Sequence, residues 1–351
     1  MSRRLQDQAR VRKILVRSAN WVGDAVMSLP AVSALRRNFP QAEIYLLAKP
    51  WVADVFSACP DIDGVLIYES PGIHGGLAGK WRLARELKGR GFDLAFLIQN
   101  AFEAALISYL ARIPRRIGYG TDGRSFLLTH PVKVDGRVKA GHQVDYYLGL
   151  LRGIGLGADS REPSLFLSPE KKEEAGRFLK SLGMEEELLI GLAPGATYGP
   201  AKQWPAERFA EVADRLAEAM KARILIFGSK GDGNVAGQVL RKARRPLADL
   251  TGRTTLAQAM ALIGRCRLLV TNDSGLMHVA AALRVPVVAI FGSTDPRRTG
   301  PRGPAGKVIF KSVPCAPCFR TACPENLACL HLISVEEVFR EAVDMLAGRV
   351  S

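Results

Sequence analysis

Short apolar runs rich in Ile, Leu and Val recur along this chain, and each is followed by a segment of helical spacing. "KILVR", "AEIYLLAK", "GVLIYE", "FDLAFLIQ" and "RRIGYG" read as strands. Helical segments lie between them: "AVMSLPAVSALRRNF", "WVADVFSA", the amphipathic "LAGKWRLARELKGRG" that ends on glycine, and "FEAALISYLAR". In the first, Met27, Leu29, Val32 and Leu35 fall on or near one face, and Pro30 fits only a first turn. Strand–helix alternation implies a parallel sheet with helices on both faces, because each crossover needs a long connection.

The alternation then restarts. Ser168 caps a helix with Pro169 at its first position and Glu170 in its first turn. Strands "LLIGLAPG", "ARILIFGS", "LADLTG", "RLLVTND" and "VPVVAIFGS" follow with helices between them, and "SVEEVFREAVDMLAG" is a last helix. The expected division is 1–165, 166–330, and a terminal helical segment, 331–351, packing back on the first domain. A chain of 351 residues has room for two such α/β domains. Ligands are expected in the cleft between them, at the carboxyl ends of the parallel strands.

The net charge is +15, from 49 Lys and Arg against 34 Asp and Glu, which favours an anionic partner. Aromatic residues make up 7% and no nucleic-acid motif is present, which argues against nucleic acid. No apolar run reaches the ~18 residues of a membrane helix, and the basic N-terminus lacks a signal-peptide core, so the chain is expected in the cytoplasm. "GYGTDG" at Gly118–Gly123 matches a dinucleotide pattern but is followed by β-like sequence, so it reads as a turn. P-loop, nucleophile-elbow and zinc-protease motifs are missing from the sequence.

Four stretches carry chemistry. In "VTNDSGLMHVAAALRVPVVAIFGSTDP", a strand ends at Asn272, and Asp273 or Ser274 caps a helix that begins near Gly275. Gly275 leaves room for an anion at the free N–H groups of the first turn, and His278 lies one turn in. In "APGATYGPAKQWP", Thr197 offers a hydroxyl and Lys202 a point charge, before Pro205 opens a helix. In "NWVGDAVMSLPA", Asn20 to Ala31, Asp24 reads either as an N-cap or as a general base, and Trp21 offers an apolar face to a sugar. In "CAPCFRTACPENLAC", Cys315, Cys318, Cys323 and Cys329 have the spacing C-x2-C-x4-C-x5-C; they are either a structural zinc site or labile thiols.

Together, "KILVR-(x)3-WVGDAVMSLPAVSALRRNFPQAEI", "PGATYGPAKQWP" and "NDSGLMHVAAAL-(x)2-P-(x)2-AIFGSTDP" resemble the ADP-heptose:lipopolysaccharide heptosyltransferases. "WVGD" and the cysteine-bearing tail look most like the heptosyltransferase II branch. The resemblance runs from about Lys13 to Leu346. It implies a GT-B fold of two Rossmann-like domains facing across a cleft, acceptor on the first and nucleotide sugar on the second. It implies inverting transfer of L-glycero-D-manno-heptose from ADP-heptose to a heptose of the inner core, with no obligatory metal or cofactor.

Carried over, Asp24 matches the catalytic aspartate, with Asn20 and Trp21 on the acceptor side. Lys202 and Thr197 match the phosphate loop, and Asp273, Ser274, Gly275 and His278 match the donor turn. Thr254 falls where the family lines its adenine pocket. The implied partners are ADP-heptose and a lipid A–Kdo–heptose acceptor, which puts the enzyme on the inner face of the inner membrane. Rival readings are a sugar-nucleotide epimerase or hydrolase of the same fold, and a basic nucleic-acid-binding protein with a zinc knuckle.

Overall fold

The structure is a computed structural model that describes residues 5, 8–159, 162–185 and 187–348. The chain divides into two compact units, Met1–Phe166 and Leu167–Ser351. The first holds β1 (Lys13–Arg17), β2 (Glu43–Ala48), β3 (Gly64–Ile67), β4 (Leu94–Leu97), β5 (Arg115–Tyr119) and β6 (His130–Val132). The second holds β7 (Leu189–Ala193), β8 (Arg223–Ile226), β9 (Leu247–Asp249), β10 (Leu268–Asn272), β11 (Val287–Phe291) and β12 (Gly306–Phe310).

The strand orders are β3-β2-β1-β4-β5-β6 and β12-β11-β10-β7-β8-β9. Both are the doubly wound order, and every pairing is parallel. Central strands β4, β7, β10 and β11 are buried along their whole length, as a sheet covered on both faces requires. Strand order reverses between β1 and β4 and again between β7 and β10, so each unit offers one crevice at its carboxyl edge.

Three local expectations are corrected. The helix Val22–Asn38 starts earlier than the sequence suggests, with Trp21 at its N-cap and no side-chain cap bond. Asp24 is therefore a first-turn residue, not the cap, and Pro30 lies inside the helix. Pro30 has no N–H to give the Val26 carbonyl, which costs about 3 kcal/mol. Burying Val26, Met27, Leu29, Val32 and Leu35 outweighs that, at about 1.5–3 kcal/mol for each large side chain. Pro205 stands at the N-cap of the helix Ala206–Met220 rather than at its first position.

The terminal helix, Val335–Leu346, is part of the second unit. Its stripe of Val338, Ala342 and Met345 joins the core of Ile190, Leu192 and Phe209. Arg215 to Glu336, at 2.6 Å, and Lys311 to Glu337, at 2.8 Å, hold its polar edge. Trp204 is the largest side chain in that core: it packs edge-on to Phe209 at 5.2 Å, and its indole N–H donates to the Ile333 carbonyl at 3.1 Å. Trp204→Ala is expected to cost about 3–5 kcal/mol in denaturant unfolding. A change under about 0.5 kcal/mol, the range of ordinary surface substitutions, would contradict this packing.

Candidate functional site

The β7/β10 crevice is built by one buried side chain. Asn272, fully buried at the end of β10, accepts from the Trp204 backbone N–H at 3.0 Å and donates to the Pro194 carbonyl at 2.7 Å. It thereby ties both ends of the loop after β7 to the end of β10. That loop delivers Lys202, whose Nζ lies 2.5 Å from Asp273 Oδ2, with both side chains largely buried. Thr294, following β11, donates to the same oxygen at 2.6 Å. The Tyr198 ring lies under the ammonium, 4.6 Å from centroid to Nζ.

Asp273 therefore orients Lys202 and does not cap the next helix. Ser274 takes the N-cap position of the helix Gly275–Ala282 but makes no cap bond; its hydroxyl meets Thr271 Oγ1 at 3.1 Å. Ser274 thus leaves the first N–H groups of this helix uncapped, and they lie next to a residue paired with an ammonium. This arrangement suits a diphosphate: a point charge on one side and a helix start on the other. Ser293 Oγ, one residue before Thr294, is buried and has no partner among the described residues. His278 is buried within the same helix, not at the surface.

Thr197 is exposed on the same loop as Lys202. Thr254 stands further along the sheet, after edge strand β9, which lies two strands from β7. There it lines a cavity of about 310 Å³ with Phe178, Ala175, Arg177 and Gln258.

The four-cysteine segment braces the Lys202 loop. Ala201 N–H donates to the Thr321 carbonyl at 3.0 Å, and Tyr198 Oη donates to the Phe319 carbonyl at 2.7 Å. Gly199 (φ +145°) meets the same segment so closely that a Cβ would fall 2.3 Å from the Thr321 oxygen. Burial, and then the neighbouring Cys315, Cys318 and Cys323, push the Cys329 thiol up. Among the described residues, no three His, Cys, Asp or Glu side chains are grouped to hold a metal ion. As placed, then, the cysteines form no closed zinc ligand set.

The β1/β4 crevice of the first unit holds Asn20, Trp21 and Asp24. Tyr147, almost fully buried on the helix Gln143–Gly153, donates to Asp24 Oδ1 at 2.9 Å. Burial, then the Asp24 carboxylate, raise the Tyr147 pKa well above 10, so it stays a donor at working pH. Arg17 ends β1 buried; Nη2 donates to Asn20 Oδ1 at 2.8 Å, and burial lowers its pKa to about 10. Trp51 Nε1 donates to the Asn20 carbonyl at 2.8 Å. Trp21 itself is 60% exposed, an open apolar face rather than a packed one.

Beside them, Tyr68 donates to Glu103, which pairs with Lys80 at 2.7 Å. Burial favours a neutral Glu103, but its bonds from Lys80 and Tyr68 outweigh this and leave its pKa low. Lys49 lies 3.8 Å from the Tyr68 ring centroid, its pKa lowered by burial and then by Arg17.

The sequence reading brings Lys202, Asp273, Ser274 and Gly275 to one crevice and Asn20 and Asp24 to the other. It misses Thr294, Tyr198, Asn272, Arg17 and Tyr147. The first four lie inside the quoted motifs, and that placement is the available signal. Tyr147 has none, because it reaches Asp24 from 123 positions away.

A profile of glycosyltransferase family 9 (heptosyltransferase) matches residues 80–328. The chain belongs to glycosyltransferase family 9. Among relatives of this glycosyltransferase, lipopolysaccharide heptosyltransferase 2 of Escherichia coli is 34% identical over 311 residues, covering 85% of this chain and 87% of that protein. Lipooligosaccharide heptosyltransferase 2 of Haemophilus ducreyi is 33% identical over 318 residues, covering 85% and 88%. The solved structure of E. coli ADP-heptose lps heptosyltransferase II superposes with a TM-score of 0.82 at 29% identity, covering 97% of this chain and 100% of that one. A family 9 glycosyltransferase from Veillonella parvula gives a TM-score of 0.84 at 26% identity, covering 96% and 97%. The two doubly wound sheets are those of the GT-B type.

Proposed function

We propose that this family 9 glycosyltransferase moves L-glycero-D-manno-heptose, with inversion, from ADP-heptose to a heptose of the lipopolysaccharide inner core. The reading rests on the names of its relatives, and on one observation above all. Lys202 and the uncapped helix start at Gly275 occupy one switch point, where a nucleoside diphosphate fits. Asp24 takes the proton from an acceptor hydroxyl, and that oxygen forms a bond to the anomeric carbon as the bond to the ADP oxygen breaks. Negative charge building on the departing ADP is met by Lys202 and the N–H groups of the helix start.

The counter-charge is thus assigned to Lys202, and no divalent ion or other cofactor is proposed. Enzyme treated with EDTA is expected to keep its rate, and loss of activity restored by a metal would contradict the assignment. Thr197, His278 and Thr254 are proposed to line the donor, and Asn20 and Trp21 the acceptor sugar.

Tyr147 is proposed to hold the Asp24 carboxylate toward the acceptor. A hydrogen bond to a charged group contributes about 1.5–3 kcal/mol, so Tyr147→Phe is expected to lower kcat roughly ten- to hundredfold with the donor KM unchanged. An unaltered kcat would remove Tyr147 from this role.

The acceptor is proposed to be lipid A–Kdo–heptose, and the enzyme to work on the cytoplasmic face of the inner membrane. The excess of 15 positive charges suits such an anionic surface. Among the described residues, no helix is long and apolar enough to cross a membrane. The step is tested with two soluble core acceptors, one bearing a first heptose and one lacking it. Transfer is expected only to the heptosylated acceptor, and transfer to the bare one would move the enzyme to an earlier step.

A further inference from the structure

The helix Gly76–Gly89 buries Leu83, Ala84 and Leu87 against the first unit. Its outer side carries Leu77, Trp81, Arg85 and Lys88, spaced i, i+4, i+8 and i+11, so they form one stripe. All four are exposed, Leu77 at 82% and Trp81 at 54%, and Ile73 in the preceding turn is 52% exposed. A solvated helix face is ordinarily polar, and Trp is ordinarily buried over most of its surface.

The anomaly extends beyond this helix. Three of the four tryptophans, Trp21, Trp51 and Trp81, are exposed, and all three lie in the first unit. A chain of contacts joins them along one edge. Trp51 bonds to Asn20 beside Trp21, Lys49 lies between Trp51 and Tyr68, and Tyr68 bonds to Glu103, which pairs with Lys80 beside Trp81. This is the carboxyl edge of the first sheet, where Asp24 also stands.

We infer that this edge, led by the Leu77–Trp81 face, docks onto an anionic lipid surface. The inference rests on the proposed lipid acceptor and names the surface that brings Asn20, Trp21 and Asp24 to it. Charge complementarity selects the occupant. Arg82 and Arg85, next to Trp81 on the helix, are exposed, and Glu86, the acid of this helix, is turned to His74 at 3.3 Å. Aliphatic Ile73 and Leu77 suit acyl chains and offer no stacking plane for a base. Indole rings are at home at the headgroup level, with basic side chains reaching for the phosphates.

The test is co-sedimentation of the full chain with phosphatidylcholine vesicles, with and without phosphatidylglycerol. The parent is expected to bind the anionic vesicles in a salt-dependent way. Leu77→Gln with Trp81→Gln is expected to weaken that binding about tenfold or more, and Arg82→Gln with Arg85→Gln to act similarly. Both variants should keep the parental melting temperature and transfer to a lipid-free acceptor at the parental rate. Equal vesicle binding by parent and variants would overturn the inference. So would tighter binding to a single-stranded oligonucleotide, or a parental dimer that the Leu77 and Trp81 changes dissociate. Vesicle binding uses no donor. Absence of lipid-free transfer in the parent would therefore sink the proposed reaction and leave the docking result standing.

Discussion

Asp24→Asn is expected to slow heptosyl transfer by about 10²–10⁴-fold, the range that a positioned general base supplies. The amide matches the carboxylate in shape and still offers an oxygen to Tyr147, which donates at 2.9 Å. The helix start is not at risk either, because Asp24 is a first-turn residue and Trp21 holds the N-cap position. What the substitution would remove is the proposed site for the acceptor proton. Calorimetry should therefore find ADP-heptose bound as tightly as by the parent, while single-turnover transfer collapses. A variant that transfers at the parental rate would show that another group takes the proton.

Lys202→Met should have two separable effects. The first is on the donor: losing a preorganised positive charge aimed at the departing diphosphate is expected to lower kcat/KM by about 10²–10³-fold. The second is on the fold. Asp273 is nearly fully buried, and without Lys202 it keeps the Thr294 hydroxyl as a donor but loses its counter-charge. Removing one member of a buried pair costs about 3–5 kcal/mol, because a charge is left without compensation. Adding Asp273→Asn neutralises that charge, so the double variant should regain most of the lost stability and none of the donor affinity. If the double variant also regained donor affinity, Lys202 would be a structural lysine and the anion site would lie elsewhere.

Much of this was legible in the sequence, for reasons that are local. Strands buried on both faces read as continuous apolar runs, and the helices between them carry their own caps, such as Ser168. Doubly wound order then fixes the crevices, and Lys202 and Gly275 follow the two strands that flank one of them. What the sequence hid depends on distance or on competing energies. Pro30 looked like a helix start because interior proline is costly, but burial of its neighbours outweighs that cost. Tyr147 and Asp24 meet only in the folded chain. β12 (Gly306–Phe310) follows a glycine- and proline-rich turn and escaped notice. The terminal helix shows its apolar stripe plainly, yet a stripe does not say which unit covers it. The cysteine-bearing segment illustrates the limit of spacing: it braces the Lys202 loop through the Phe319 and Thr321 carbonyls, a role that thiol spacing does not encode.

The most direct test of the whole account is the initial rate of ADP release from ADP-heptose, measured with and without a soluble heptosylated core acceptor. The account expects release that rises with acceptor, saturates, and matches heptosylated product one for one. ADP or free heptose released at the same rate without acceptor would make this chain a hydrolase, and Asp24 would then have no acceptor proton to take.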